Sequence, residues 1–221
     1  VLIIRSIAAL AGLTLAASVA AAADVNFVET TDAGLLPGTA TVVGTTADTI
    51  LTITGKIADV DDLADVYAIY IADPSQFLAI APSVADGIDP QLFLFNAAGL
   101  GVVADADSHA GSSFGAQING FAGLAGLYYL AISDFDISPT AGGELIFPTF
   151  PTNSGPTGPG GSDPVDGWDG LSLGANVTGY TISLRGATGT GDAAVVPLPA
   201  PVFAGAAGLL ALAGIRRLRR G

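Results

Sequence analysis

All twenty acidic residues of this 221-residue chain lie between two apolar, arginine-bearing ends, and that partition limits the fold more than any other feature. The N-terminal stretch carries Arg5, an uncharged run from Ile7 to Val19, and small residues from Ala20 to Ala23. The C-terminal stretch is uncharged from Val195 to Ile215 and closes on Arg216, Arg217, Arg219 and Arg220. Between them the only basic residues are Lys56 and Arg185. A folded domain must therefore come from the middle, while the ends are built to meet a membrane.

A basic start, an apolar run of this length and an A-x-A-like site make residues 1–23 a secretory signal helix, with cleavage expected before Asp24. The other reading is a permanent N-terminal anchor. At the other end, Pro197, Pro199 and Pro201 keep the start of the apolar run out of a helix. The clean helical run is 202–215, which is 14 residues, against the roughly 20 that cross a bilayer core. It is a short transmembrane helix. The arginine cluster 216–220 holds its end in the cytoplasm, so the domain lies outside.

The expected mature part, residues 24–196, pairs twenty acids with two bases, a formal charge of −18. Binding to nucleic acid rests on Lys and Arg neutralising phosphates, so nucleic acid is excluded as a partner. Two readings of the excess stand: adaptation to brine, or a role involving cations. The chain has no cysteine, so disulfides, thiolate metal sites and a cysteine nucleophile are excluded.

Short segments of period two predict strands. Thr49–Thr54 puts Leu51 and Ile53 on one face and threonines on the other. Tyr128–Ser133 aims Tyr128, Leu130 and Ile132 one way, and 180–184 does the same with Tyr180, Ile182 and Leu184. Asp65–Ile71, Gln76–Ile80 and Gln91–Phe95 are near-continuous apolar runs that suit strands buried on both faces. Turn residues separate them, as at Asp73-Pro74, Asp89-Pro90 and Asn96 to Gly99. The prediction is an all-β, antiparallel β-sandwich. A Pro/Gly-rich stretch at about 148–170 interrupts it as an insertion that composition predicts to be partly disordered. Trp168, the only tryptophan, sits at its end, either plugging the sandwich rim or exposed to stack on a sugar. Residues 191–195 form a linker.

Two resemblances follow from these residues. The box Val196-Pro197-Leu198-Pro199-Ala200, the short apolar helix and the terminal arginines resemble the VPLPA variant of the PEP-CTERM sorting signal, over residues 196–221. That resemblance implies transient anchoring in the inner membrane and recognition by an exosortase, a membrane-embedded cysteine transpeptidase. It also implies final placement at the cell surface or outside, in bacteria that make exopolysaccharide. An ordinary tail anchor is the alternative. The central domain is similar to bacterial pre-peptidase C-terminal domains. The similarity runs through Glu29, Val43-Gly44, the 53–57 segment ITGKI, Asp59 to Tyr67, the 91–96 segment with Gly99, the 126–132 segment and the 179–184 segment. It implies a jelly-roll-like sandwich, here with no peptidase domain expected within the 221 residues.

Little in the sequence supports catalysis. His109 is the only histidine, so a zinc site is poorly supplied. Asp107-Ser-His109 contains triad residue types but no G-x-S-x-G elbow. Calcium, which takes six to eight oxygens, is the one ligand the sequence points to. Asp59, Asp61, Asp62 and Asp65 crowd one turn before a strand. The resemblance implies that Glu29 and Asp32 join Asp59, Asp61 and Asp62 around the ion. Asp105 and Asp107 form a weaker pair, and a solvated acidic turn is the plain alternative. The sequence thus predicts a non-enzymatic surface or matrix protein associated with exopolysaccharide or the envelope. The alternative is a carbohydrate-binding module with a sugar site near Trp168 and an exposed Tyr129.

Overall fold

A computed structural model describes residues 22–46, 48–57, 61–83, 89–110, 114–148, 152–170 and 178–190. Most of the predicted signal, the linker and the whole VPLPA tail lie outside the described residues, as does Asp59. Among the described residues fourteen strands form, in chain order. They are β1 (Asp24–Val28), β2 (Thr41–Val42), β3 (Thr49–Ile57), β4 (Ala64–Ile71), β5 (Leu78–Ala81), β6 (Pro90–Asn96) and β7 (Gly101–Asp105). After them come β8 (Ala116–Asn119), β9 (Gly126–Asp134), β10 (Ser138–Ala141), β11 (Glu144–Leu145), β12 (Gly167–Asp169), β13 (Thr178–Arg185) and β14 (Ala187–Thr188). Every helix among the described residues is a short 3₁₀ turn, and none is long and apolar enough to cross a membrane.

The hydrogen-bonded order is β7-β6-β9-β4-β14-β3-β13-β5-β8, and the ladders along it are antiparallel. Two short side pairings are parallel, β1 on β3 and β2 on β4. Strands β13 and β14 are one bent strand: β13 pairs with β3 and β5, and β14 pairs with β3 and β4. That bend joins two sandwich-like layers at one side. At the other side the free edges of β7 and β8 meet through a carboxylate in place of a ladder. Asp105 is fully buried, and its Oδ1 accepts from the backbone N–H of Gln117 at 2.7 Å and of Ser108 at 3.2 Å. The result is a nearly closed, barrel-like all-β fold.

Of the three near-continuous apolar runs, 65–71 and 91–95 form strands buried on both faces, β4 and β6, whereas 76–80 spans the end of a 3₁₀ turn and the start of β5, which is buried at alternate residues only. Strand β9, expected to alternate with one face inward, is buried on both faces as well. Tyr67, Ile69 and Ile71 of β4, Leu92 and Leu94 of β6, and Tyr128, Leu130 and Ile132 of β9 fill the space between the layers with Tyr180, Ile182 and Leu184. Their alternate residues Val66, Ala68, Phe93, Phe95, Tyr129 and Ala131 build a second core on the outer face. That second core is covered by the three-stranded sheet β11-β10-β12 and its flanking loops, through Ile146, Phe147, Val165 and Trp168. The Pro/Gly stretch is therefore largely part of the packed body. Its glycines let backbone lie on backbone: a Cβ on Gly158 would overlap the Leu145 carbonyl. Its Ser154 also pairs with Ala104 on the open side of β7, at 2.9 and 2.8 Å.

One strand departs from the predicted alternation. Ile50 and Ile53 are buried, while Leu51 is 38% exposed. The register against β1 shifts there, with Val25 opposite Ile50 but Asn26 opposite Thr52. The extra residue is a β-bulge, which flips the pleat at Leu51 and sends it outward.

Candidate cation site

Residues from four parts of the chain converge at one rim of the sandwich. The chain leaves β1 at Glu29, whose N–H donates to Thr54 O at 2.8 Å and so extends the parallel pairing with β3. The loop then turns at Asp32, whose Oδ1 accepts from Gly34 N at 2.9 Å. Gly34 O in turn accepts from Val66 N at 3.1 Å, which docks the loop on β4. Asp65 lies on β4 two residues before Tyr67, so alternation points it inward at the end of the core row. It is fully buried.

The Glu29, Asp32 and Asp65 carboxylates each offer an oxygen within 4.8 Å of the others. Asp65 Oδ2 accepts from Tyr180 Oη at 2.5 Å, and Tyr180 Oη lies 2.6 Å from Tyr67 Oη. Asp65 Oδ1 is buried and has no hydrogen-bond partner. Glu29 is similar, with Oε2 accepting from Lys56 N at 3.0 Å and Oε1 buried without a partner. A buried carboxylate oxygen left unsatisfied is costly, and here two of them face one cluster. The adjoining cavity, about 410 Å³, is lined by Glu29, Thr30, Thr31, Asp32, Lys56 and Asp62.

Burial pushes the Asp65 carboxyl up to about 8, and the neighbouring charges of Glu29, Asp62 and Asp32 add to the rise. The Tyr180 hydrogen bond works against it. Burial also raises Tyr180 and Tyr67 well above the ordinary tyrosine range. Gly55 makes room for the arrangement. A Cβ there would overlap Tyr180 Oη and sit 2.6 Å from Glu29 Oε2.

Of the predicted calcium residues, Glu29, Asp32 and Asp62 come together at this cavity. Asp61 is exposed on the turn and does not line it. In the sequence Asp65 belongs both to the acidic turn and to the head of the 65–71 run, and inward alternation from Tyr67 marks it as a core carboxylate. The sequence marks Tyr180 and Tyr67 only as core residues. Their hydroxyls meet across a sequence separation that no local pattern reveals.

The other singled-out residues have structural partners. Trp168 Nε1 donates to Leu35 O at 2.7 Å, and its ring meets Phe93 edge-to-face at 5.6 Å. Tyr129, expected to be exposed, is fully buried in the second core because β9 is covered on both sides. The two therefore form no open sugar platform. His109 Nδ1 lies 3.2 Å from Gln117 Oε1, and Ser108 Oγ donates to Gln117 O at 3.3 Å. Asp107 is exposed, while Asp105 closes the barrel. No protein-family model matches the chain, and a search of curated proteins returns no match.

Proposed function

We propose that this chain is a non-enzymatic, exported surface or matrix protein whose sandwich is locked by calcium. The ion would be held by Glu29, Asp32 and Asp65, with Asp62 at the cavity wall. The observation that carries this reading is the pair of buried, unpartnered carboxylate oxygens on Glu29 and Asp65 facing a shared cluster. A hard cation with oxygen ligands satisfies both and relieves the repulsion among like charges. Tyr180 fixes one Asp65 oxygen and Lys56 N fixes one Glu29 oxygen, so the free oxygens are already oriented. Loop sites of this kind bind calcium weakly, in the millimolar range of extracellular modules, which suits a domain that works outside the cell.

Export is supported by the signal-like start and by the Val196-Pro197-Leu198-Pro199-Ala200 box with its helix and arginines. The partners on this reading are an exosortase-like enzyme during sorting, and exopolysaccharide or other envelope components afterwards. The jelly-roll-like, pre-peptidase-related reading of the sandwich is favoured by a core shared between two layers. A sugar-binding module is less well supported, because Trp168 and Tyr129 are both engaged in packing.

The test is thermal unfolding with millimolar calcium against sodium chloride at matched ionic strength, since −18 charges respond to any salt. A site filled a hundredfold above its Kd contributes about 2.7 kcal/mol, or a rise of about 5–10 °C for a domain of this size. Asp65→Asn removes most of that rise. Equal shifts in wild type and variant, or a shift reproduced by sodium, leave only a solvated acidic turn.

A further inference from the structure

Among the described residues, the sandwich takes hold of the chain at Ala23. Its carbonyl accepts from Thr49 N at 2.8 Å, the first bond of the β1–β3 pairing. Its N–H points at Asp48 Oδ1, 3.2 Å away. Asp48 is only 8% exposed and firmly set. Its Oδ2 accepts from Thr45 N and Thr45 Oγ1, both at 2.8 Å, and its backbone is tied to Thr45 O and Gly189 N. The Thr45 bonds hold its carboxyl below the usual carboxylate range, so it is ionised at neutral pH. A nine-tenths-buried carboxylate normally has a cation beside it, yet the domain has only Lys56 and Arg185. Lys56 lines the cavity at the far end of β3, and Arg185 pairs in register with Leu78 on β5. The group facing Asp48 Oδ1 is the nitrogen of Ala23.

The run Ala20 to Ala23 offers more than one A-x-A window. Cleavage after Ala23 discards that residue and strips both Thr49 N and Asp48 Oδ1 of their partners. Cleavage after Ala22 keeps the carbonyl contact and turns the nitrogen into a charged, three-hydrogen donor where the carboxylate waits.

We propose that the signal is cut between Ala22 and Ala23, and that the new α-ammonium of Ala23 pairs with Asp48 to seal the mature N-terminus onto the sandwich. Water adds across the Ala22–Ala23 peptide bond, the leader leaves with the carboxylate of Ala22, and the freed amine of Ala23 takes up a proton. The proposal rests on the export reading above. It narrows that reading to one bond and gives the domain a third cation beside Lys56 and Arg185.

The experiment is export of the full chain from a Gram-negative host, followed by mass spectrometry of the N-terminal peptide. A mature protein starting at Ala23 is expected. A start at Ala22 or Asp24 overturns the proposal and leaves export standing, whereas an uncut leader overturns the export reading and this one with it. The ion pair has its own readout, which is acylation of the α-amine at pH 7 by an N-hydroxysuccinimide ester. Pairing keeps the amine protonated. One pKa unit is tenfold in free amine, so labelling of wild type should be about three- to tenfold slower than that of Asp48→Asn. Equal rates overturn the pairing. Should Asp48→Asn fail to fold, unfolding the wild type in urea provides the comparison, and an unchanged rate on unfolding is equally fatal.

Discussion

Asp65 sets the strongest expectation at the scale of single residues. Its folded-state pKa, about 8, stands above the ordinary aspartate value, so between about pH 4 and 8 the folded protein holds a proton that the unfolded chain has lost. The stability this contributes is fully present below pH 4 and is lost as pH rises through 8. Asp89, pushed up to about 6 by burial and by Asp107 and Asp134, acts in the same direction. Metal-free protein in a chelator should therefore melt higher at pH 5.5 than at pH 8, and Asp65→Asn should flatten most of that difference. A wild-type melting point that rises over the same interval would show the carboxyl to be ionised when folded. Gly55→Ala tests the packing of the same site. The added methyl must displace Tyr180 Oη or Glu29 Oε2, at about 1–3 kcal/mol for overpacking. Calcium titration followed by melting should show both a lower baseline and a weaker calcium response. Part of this was legible in the sequence: Glu29, Asp32 and Asp62 could be grouped from chain order and resemblance. The Tyr67–Tyr180–Asp65 chain could not, since its members meet only after β13 pairs beside β3.

Strand existence follows from hydrophobic period, and two of the three doubly apolar runs form the doubly buried strands β4 and β6, while 76–80 opens on a 3₁₀ turn and only alternates in β5, and β9, expected to bury one face, buries both. Three things at this scale exceed local pattern. The bulge at Leu51 changes which residues face inward, and a bulge is a property of the pairing, not of one strand. The Pro/Gly stretch, poor in large side chains, packs through its backbone and a few anchors such as Val165 and Trp168, which composition alone hides. Edge closure is the third. Strands β7 and β8 would present open edges, a liability for pairing with other chains. Asp105 satisfies Gln117 N, Ser108 N and Asn153 N, thereby holding β7, β8 and the Pro/Gly segment together. Bonds to a charged acceptor contribute about 1.5–3 kcal/mol each. Asp105→Ala should cost at least about 3 kcal/mol, and amide exchange at Gln117 and Asn153 should rise ahead of exchange in β4 and β9. Uniform exchange throughout the sheet would mean that the edges close without Asp105.

The whole molecule divides by charge as its sequence does, an acidic body between two apolar ends. On the sorting proposal, the 14 residues from 202 to 215 would reach about 21 Å as a helix at 1.5 Å per residue, against a bilayer core of about 30 Å. Such a span suits a temporary hold better than a permanent anchor, since the mismatch must be met by local thinning or by arginine side chains reaching to the headgroups. On the same proposal, the prolines of the 196–200 box would keep the stretch before that helix extended, and an extended backbone is the form that a peptide-bond-cleaving enzyme can grip. The arginines after it would fix which side is cytoplasmic and resist its withdrawal through the membrane. Mature protein from the native host should therefore lack the C-terminal segment, with its last residue in or near the 196–200 box by mass spectrometry. Changing Arg216, Arg217, Arg219 and Arg220 together to glutamine should lower the processed fraction several-fold while leaving the melting point of the folded domain unchanged, because those residues lie outside it. Native protein intact through Gly221, with the charge-free variant retained as well as wild type, would make the tail a plain anchor.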